Sequence, residues 1–470
     1  MLPEPFLKRM QAMLMEEYPA FLQSFEEENC RALRLNTRKT DTGRFLEKSP
    51  FSLRKVPWAD NGFYYGKEDQ PGKHPYHEAG VYYIQEPSAM APVSFLEVKP
   101  GERVLDLCAA PGGKTTQLAD CMQGKGILVS NEIHPARARI LSENIERMGV
   151  CNAVVTNESP EKLAAVFPAY FDKILVDAPC SGEGMFRKND AARAEWSEEN
   201  VALCAKRQDE VLRCAGEMLR PGGRLVYATC TFAPAEDEGT VSRFINSHPD
   251  FRIVEIQKTD GFTDGQGRWI EEPAPGIERA VRMMPHKIRG EGHFFAVLER
   301  EGRETSIGQS SRQGVEKGLP ETEYREFSEF REQYLAGFAR EGIYVRFGEQ
   351  LYLAPPGIPA LKGLKALRPG LHLGTLKKNR FEPSHALALA LNPEDVCQCM
   401  HLTAKGNEVR QYLCGQVLPV EGAVFTAQAA GAPKGWCLVC VDGYSLGWGK
   451  AAGGIVKNHY PKGLRVQFWR

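Results

Sequence analysis

The chain has 470 residues, enough for two to four domains of roughly 100 to 200 residues each. Its hydrophobic content of 42% and charged content of 25% are those of a globular protein, which excludes a disordered or collagen-like chain. The formal net charge is -1, but residues 361–470 hold 14 Lys and Arg against 6 Asp and Glu. This basic C-terminal part favours a polyanionic partner, with a solvated basic surface as the alternative.

The first 92 residues predict an N-terminal RNA-binding module and a connection, assigned to 1–92. Phe6, Met10, Met13 and Leu14 have the spacing of an amphipathic helix, and residues 32–36 resemble a short strand. The first 20 residues lack the apolar stretch of a signal peptide. No run in the chain approaches the ~18 apolar residues of a membrane span, so we expect no membrane partner.

Residues 93–300 predict the central domain. Apolar strand-like runs alternate there with helical patterns, as in a parallel sheet covered by helices. The predicted fold class is therefore α/β, with a doubly wound Rossmann-like core. A last strand pair around 251–254 and 294–298 is expected to complete its sheet.

The remaining residues predict three further segments. Residues 301–321 are polar and aperiodic and predict a linker. Residues 322–390 predict a small intermediate module, and 391–470 a compact β-rich unit. Strands are expected in that unit at 422–426, 436–441 and 464–468.

A glycine-containing turn follows the first strand of the predicted α/β domain and opens a helix. A P-loop needs Gly six residues before Lys114, where Cys108 stands, and no G-x-G-x-x-G pattern is present. Small residues in the turn let the backbone approach a ligand with a charged amino-acid tail. With Glu132 placed for ribose hydroxyls and Asn157 for an adenine edge, the pattern favours S-adenosylmethionine.

Two cysteines follow neighbouring strands at the edge where the cofactor turn lies. Cys180 comes three residues after Asp177, and Cys230 ends a later strand. A buried structural role suits either cysteine alone, but their joint placement favours chemistry.

Thiols suit the methylation of pyrimidines for a chemical reason. C5 of cytosine is too electron-poor to accept a methyl group until a nucleophile adds at C6, and a thiolate can do so. A nearby acid such as Asp177 can stabilise the N3 edge of the base as charge develops there.

Four segments resemble the motifs of the Sun-family RNA 5-methylcytosine methyltransferases: VLDLCAAPGGKTTQLA (104–119), NEIHPARARIL (131–141), ILVDAPCSGEGMFRK (174–188) and LVYATCTFAPAEDE (225–238). The segments 282–285 and 292–295 resemble the closing strand motif of that family. The segments 443–450 and 457–465 are similar to a bacterial ribosomal RNA branch of it, so the resemblance covers nearly the whole chain.

The resemblance implies roles for individual residues. Cys230 matches the nucleophile, Cys180 the cysteine that assists release of methylated RNA, and Asp177 the acid beside the base. It also implies a set of S-adenosylmethionine contacts: Cys108, Ala109, Ala110, Pro111, Gly112, Gly113, Lys114, Glu132, Arg137, Asn157 and Asp177. The family often has Asp where Asn157 stands, so that contact departs from the pattern.

RNA must present the target cytosine outside its stack, because C5 and C6 are approached from both faces. The resemblance implies a PUA-like RNA-binding domain at the C-terminus. Cations and rings there are candidates for contact with single-stranded RNA: Lys377, Lys378, Arg380, Trp448, Lys450, Lys457, Lys462 and Arg465. Trp448 and Tyr460 fit equally well as core residues of a small barrel.

The thirteen cysteines are odd in number and mostly lie in apolar runs, which favours reduced thiols in a cytoplasmic protein. Cys437 and Cys440 have CxxC spacing but no correctly spaced second pair, so no metal is expected.

The sequence thus predicts a cytoplasmic, monomeric enzyme that methylates ribosomal RNA, free or within the small subunit. There are two alternatives to this prediction. A DNA cytosine methyltransferase would be expected to use Cys180 as its nucleophile. An RNA-binding assembly factor without turnover would not need both cysteines and the complete cofactor turn.

Overall fold

The computed structural model describes residues 2–302, 314–427 and 432–466. Residues 303–313 of the predicted linker, and residues 467 and 468 of the predicted last strand, lie outside the described residues. The described beginning of that predicted strand belongs to a 3-10 turn, Lys462–Leu464, so the strand prediction was wrong there. Pro461 precedes this turn and starts it with a fixed φ.

The N-terminal module combines helices with a small sheet. Its strands are β1 (Ala32–Leu35), β2 (Leu53–Lys55), β3 (Gly62–Tyr65) and β4 (Tyr82–Ile84). They form an antiparallel sheet in the order β2-β3-β1-β4. Its helices are α1 (Glu4–Leu14), α2 (Tyr18–Ser24), α3 (Thr42–Lys48), α4 (Pro75–Glu78) and, in the connection, α5 (Ala91–Ser94).

The central domain alternates strands and helices over its first half. Its strands are β5 (Arg103–Asp106), β6 (Ile127–Asn131), β7 (Ala153–Thr156), β8 (Phe171–Asp177), β9 (Leu219–Thr229), β10 (Phe251–Ile253), β11 (Phe262–Asp264), β12 (Val281–Met283) and β13 (His293–Arg300). Its helices are α6 (Gly113–Met122), α7 (Pro135–Arg147), α8 (Pro160–Val166), α9 (Asp190–Glu195), α10 (Glu198–Met218) and α11 (Glu238–Ser247).

These strands form one sheet in the order β11-β12-β13-β9-β8-β5-β6-β7, with β10 paired to β13. The five strands from β9 to β7 are parallel, and the strands on the other side of β9 are antiparallel. Large apolar clusters pack on both faces of the sheet, because its central strands are buried on both sides. This confirms the predicted doubly wound α/β fold.

The sheet is larger than the sequence predicted. β10 and β13 form the expected pair, but β11 and β12 extend the sheet beyond them. Each of those two strands has only three residues, too few to give a period-two signal.

The C-terminal part contains two further sheets. The intermediate module has β14 (Ile343–Phe347), β15 (Gln350–Ala354), β16 (Ala366–Arg368), β17 (Leu371–Lys377) and β18 (Arg380–Pro383), with α12 (Arg325–Tyr334) and α13 (His385–Ala390). The last unit has β19 (Gln398–Leu402), β20 (Leu418–Pro419), β21 (Val424–Ala427), β22 (Gly435–Val441), β23 (Tyr444–Ala452) and β24 (Ile455–Asn458), with α14 (Asn407–Leu413).

The intermediate module is joined to the central sheet by backbone pairing. β16 pairs antiparallel with β7 and becomes the tenth strand of that sheet. The Asn157 N–H donates to the carbonyl of Lys365 at 2.9 Å, just before β16. Within the described residues, no helix has the length and apolar character needed to cross a bilayer.

Candidate active site

Five parallel strands end at one edge of the central sheet, and the predicted site residues follow those ends. The strand order reverses between β5 and β8, where a doubly wound sheet forms its ligand crevice. Lys114, after β5, donates from Nζ to Oδ2 of Asp177, at the end of β8, over 2.7 Å. This contact bridges the crevice between the cofactor turn and the cysteines.

The cofactor turn is held by the neighbouring strand and helix. The Ala109 N–H donates to the Asn131 carbonyl at 2.8 Å. Arg137 and Asn144, both on α7, donate to the carbonyls of Ala110 and Pro111 at 2.8 and 2.9 Å. These contacts fix the backbone of the turn where it leads into α6.

Two buried carboxylates line the floor of this turn. Thr115 donates to Oδ2 of Asp106 at 2.6 Å, whereas Oδ1 has no hydrogen-bond partner among the described residues. Burial raises the pKa of Asp106 to about 7. Glu132 accepts from the His134 N–H at 2.9 Å and lies 3.4 Å from Arg137, so the carboxylate is held at the end of β6.

Asn157 lies at the end of β7 as expected, but its amide nitrogen serves the protein. Nδ2 donates to the carbonyls of Glu132 and Ile133 at 2.7 and 2.9 Å. The side chain therefore fixes the loop after β6, and Oδ1 is the atom left for a ligand.

The two cysteines meet across adjacent strands. Asp177 of β8 is paired with Ala228 of β9, so the chains leave the sheet side by side. The Sγ atoms of Cys180 and Cys230 are 3.4 Å apart. The hydrogen bond to Cys230, together with burial, raises the pKa of Cys180 well above its ordinary value. Formation of a thiolate at Cys180 is therefore disfavoured.

Lys114 is a nearly buried cation beside this pair. Burial acts to lower the pKa of Lys114, but the charge and hydrogen bond of Asp177 outweigh burial and raise it. The cofactor turn therefore contributes a fixed positive charge next to the carboxylate of Asp177.

A buried acid that the sequence reasoning passed over fixes the loop of Cys180. Glu236 accepts from the Ser181 N–H at 2.9 Å and from Nε2 of Gln208 at 2.9 Å. Ser181 also contacts Thr231 at 2.8 Å, so the residues next to the two cysteines are tied together. Burial raises the pKa of Glu236 to about 7. In the sequence, the acidic run at 236–238, which ends the segment 225–238, is the feature that indicates this residue.

Similarity to known proteins extends over nearly the whole chain. A family model described as 16S rRNA methyltransferase RsmB/F matches residues 93–299. Three models for the N-terminal, first C-terminal and PUA domains of RsmF match residues 2–87, 329–391 and 400–466. The ribosomal RNA small subunit methyltransferase F of Erwinia tasmaniensis is 30% identical over 482 residues, which cover 98% of this chain and 96% of that protein. The chain belongs to the 16S rRNA methyltransferase RsmB/F family.

Other relatives agree with this RsmB/F assignment. The protein of the same name from Vibrio parahaemolyticus is 29% identical, with 98% of this chain and 97% of that protein covered. The solved structure of a methyltransferase homolog protein from Pyrococcus horikoshii is 28% identical, with a TM-score of 0.54. It covers 64% of this chain and 100% of that one. The Sun-family resemblance is confirmed, and this RsmB/F member is an RNA methyltransferase.

A buried histidine near the crevice lies in the segment 292–295. His293 is 4% exposed, and its Nδ1 lies 2.9 Å from Oγ of Ser88. Burial, with the Lys114 charge, lowers the pKa of His293 to about 3, so the ring is neutral. Ser88 precedes α5, so this contact ties the connection segment to the first residue of β13.

The structure changes the set of candidate RNA contacts. Trp448 is 2% exposed, and its Nε1 donates to the Ser384 carbonyl at 2.8 Å, so its candidacy as a stacking ring was wrong. Tyr460 is also 2% exposed and donates to Glu78 at 2.9 Å. Both rings lie between modules, because Trp448 packs with apolar residues of the intermediate module and Tyr460 with those of the N-terminal module.

The cations of the C-terminal part differ in their surroundings. Lys377 and Arg380 are ion-paired with Glu349 and Glu382. Arg465 is half-buried and packs over Gly415. The remaining candidates are exposed: Lys378, Lys450, Lys457 and Lys462.

The cysteine pair of CxxC spacing lies in a buried part of the PUA domain. Cys440 Sγ is 3.2 Å from Cys399 Sγ on the neighbouring strand β19. In the three described ranges, no group of three or more His, Cys, Asp or Glu residues is placed to hold a metal ion.

Proposed function

We propose that this chain transfers the methyl group of S-adenosylmethionine to C5 of cytidine in 16S ribosomal RNA, with Cys230 as the nucleophile. The observation that carries the proposal is the 3.4 Å contact between Cys180 and Cys230 at the ligand edge of the sheet. A pair of thiols at that edge suits covalent activation of a pyrimidine.

The residues around the turn fit S-adenosylmethionine. Oδ1 of Asp106 is buried without a partner among the described atoms, and Glu132 presents a buried carboxylate one strand away. Gly112 has φ 112°, a conformation that L side chains rarely adopt. When bound, S-adenosylmethionine supplies an electrophilic methyl group on a sulfonium. The turn 108–114, Glu132, Arg137, Asn157 and Asp177 would hold it.

Cys230 would open the reaction by adding its Sγ to C6 of the cytosine. The C5–C6 π electrons move to C5, which becomes nucleophilic and accepts the methyl group. Negative charge also develops at N3, and the pair of Lys114 and Asp177, joined over 2.7 Å, would supply a proton to N3 and take it back when the ring double bond re-forms. A base then removes the C5 proton, the double bond re-forms and the C6–S bond breaks.

Cys180 would assist that last bond cleavage. Its thiol keeps its proton because the hydrogen bond to Cys230, with burial, raises its pKa. Its S–H can therefore donate to the sulfur of Cys230 as that sulfur leaves as a thiolate. Removing Cys180 would leave the leaving group without this stabilisation and would trap the RNA.

The names of the relatives and the PUA domain support ribosomal RNA of the small subunit as the substrate. The exposed Lys378, Lys450, Lys457 and Lys462 are proposed to approach its phosphates. We infer a monomeric enzyme that works in the cytoplasm, where thirteen free cysteines stay reduced.

The test is transfer of labelled methyl groups from S-adenosylmethionine to purified 16S ribosomal RNA, small ribosomal subunits and cytosine-containing DNA. Nucleoside analysis by mass spectrometry identifies the modified base. Label recovered as 5-methylcytidine from either RNA substrate supports the proposal. Label only in DNA, or on another RNA atom, contradicts it.

A further inference from the structure

The N-terminal helix α1 reaches the loop that follows Cys180. Arg9, on α1, forms an ion pair with Glu183, with 2.5 Å between Nη2 and Oε1. The side chain of Glu183 is fully buried, and that of Arg9 is one quarter exposed. Trp196 also donates from Nε1 to Oε1 of Glu183 at 2.8 Å. A carboxylate from the catalytic domain is thus balanced by a cation from the N-terminal module.

Glu183 and Gly184 form hydrogen bonds with the backbone at and just after Cys230. Oε2 of Glu183 accepts from the Phe232 N–H at 3.2 Å, two residues after the nucleophile. The Gly184 N–H donates to the carbonyl of Cys230 itself at 2.8 Å. The backbone from the Cys230 carbonyl to the Phe232 N–H is therefore held by this dipeptide.

An aromatic cluster docks α1 and α2 onto the same two loops. Phe6 meets Phe186 with ring centroids 5.1 Å apart, and Phe21 meets Phe232 at 5.4 Å. Phe186 follows Cys180 and Phe232 follows Cys230, so the N-terminal helices cover the backs of both catalytic loops. Arg9 is placed by this packing and is not a freely moving surface cation.

We propose that Arg9 is a positioning residue for the nucleophile and acts through Glu183 on the backbone around Cys230. This rests on the proposed function of Cys230 and extends it to the N-terminal module, whose expected role was RNA binding. A buried carboxylate is costly without a cation, and breaking a buried pair by removing one partner leaves an uncompensated charge. Without Arg9, Glu183 would lose the partner that keeps it facing Phe232.

The first test compares Arg9→Met, Arg9→Lys and the control Lys8→Met. Lys8 lies on the same helix in an exposed ion pair with Glu4. We expect Arg9→Met to lower kcat about tenfold or more, since small misplacements of reacting groups are that costly. KM for RNA and for S-adenosylmethionine should stay within about twofold. Arg9→Lys should recover part of the loss, and Lys8→Met should behave as wild type.

The second test asks whether Arg9 acts through Glu183. Glu183→Gln alone should lower kcat, and adding Arg9→Met should cost little more, because the two residues form one pathway. Millimolar guanidinium should partly rescue Arg9→Ala, whose missing group faces solvent on one side, and sodium chloride should not. Multiplicative losses in the double variant, loss confined to KM for RNA, or an equal effect of Lys8→Met would overturn the proposal.

A readout without RNA separates this inference from the proposed function. The alkylation rate of Cys230 by iodoacetamide, followed by peptide mass spectrometry, should change at least about threefold in Arg9→Met, since local geometry sets thiol access. The exposed Cys121 serves as the internal control. If wild type methylates no RNA, the proposed function fails, and this rate still tests Arg9. An unchanged rate at Cys230 in folded Arg9→Met contradicts the inference.

Discussion

Lys114 donates to Asp177 over 2.7 Å across the point where the order of the central strands reverses. The contact joins the cofactor turn to the strand that leads to Cys180. Lys114 is almost fully buried, so its charge is compensated by Asp177 and not by water. One ion pair therefore ties the proposed methyl-donor half of the crevice to the proposed base half.

Breaking this pair should impair catalysis. Lys114→Met leaves Asp177 without its orienting cation, and Asp177→Asn leaves a buried ammonium without its anion. We expect each to lower the single-turnover methylation rate by about a hundredfold, as for a charge that acts in the transition state. Rapid-quench assays with labelled S-adenosylmethionine measure this rate.

The control for that prediction is Arg213→Met. Arg213 forms an ion pair with Glu217 on the exposed side of α10, and surface pairs of this kind contribute little. Its rate should equal that of wild type. A Lys114→Met enzyme of normal rate would remove this pair from the mechanism.

Gly184→Ala should damage the active site through sterics alone. An added Cβ would lie 2.9 Å from the carbonyl oxygens of Cys230 and of Gly292, both of them backbone atoms. The loop has to shift, and we expect kcat to fall about tenfold or more. Gly337→Ala, where a Cβ meets nothing within 4 Å, is the matched control in steady-state assays. Equal kcat values for the two variants would show that the loop accommodates the added Cβ without loss of activity.

Glu236 predicts a pH dependence of stability. Burial raises its pKa to about 7 from an ordinary 4.5. Because the pKa of Glu236 is higher in the folded protein, the unfolded chain loses this proton first as the pH rises. The free energy of unfolding therefore falls between pH 4.5 and about pH 7. At about 1.4 kcal/mol for each pH unit between the two pKa values, the free energy of unfolding falls by roughly 3.5 kcal/mol.

Glu236→Gln removes that titration and keeps the shape of the side chain. The difference in Tm between Glu236→Gln and wild type should therefore move in favour of the variant from pH 5 to pH 8, as measured by calorimetry. A Tm difference that is constant over this range would show that Glu236 does not titrate there.

Substitutions of Trp448 and of Lys450 should have different effects, although both residues lie on β23. Trp448→Phe removes the donor to the Ser384 carbonyl and should cost about 1 to 2 kcal/mol of stability with little effect on KM for RNA. Lys450→Gln combined with Lys457→Gln removes two exposed cations. It should raise KM for RNA and flatten the dependence of KM on salt concentration. Thermal melts and a salt series separate these outcomes.

The sequence could predict the strand ends and the residues that follow them, because helix and strand periodicities alternate clearly between residues 103 and 229. Parallel strands then bring Cys180 and Cys230 to one edge by topology alone. The turn 108–114 was found for the same reason, since its small residues stand between a strand and a helix.

Other parts of the site depend on contacts between distant segments. Arg9 reaches Glu183 from a different domain, and neither has a local signal beyond charge. His293 contacts Ser88, and only the fold shows that these segments meet. The inward direction of Trp448 was undecided because alternation along a strand gives two faces but not which one is covered.

The identity of the cysteine that attacks the base decides the mechanism, and adduct trapping measures it directly. Wild type, Cys230→Ala and Cys180→Ala are incubated with S-adenosylmethionine and 16S ribosomal RNA, and covalent protein–RNA species are separated on denaturing gels. We predict a trapped adduct with Cys180→Ala, and neither adduct nor methylation with Cys230→Ala. An adduct that forms with Cys230→Ala and is absent with Cys180→Ala would make Cys180 the nucleophile and contradict the mechanism.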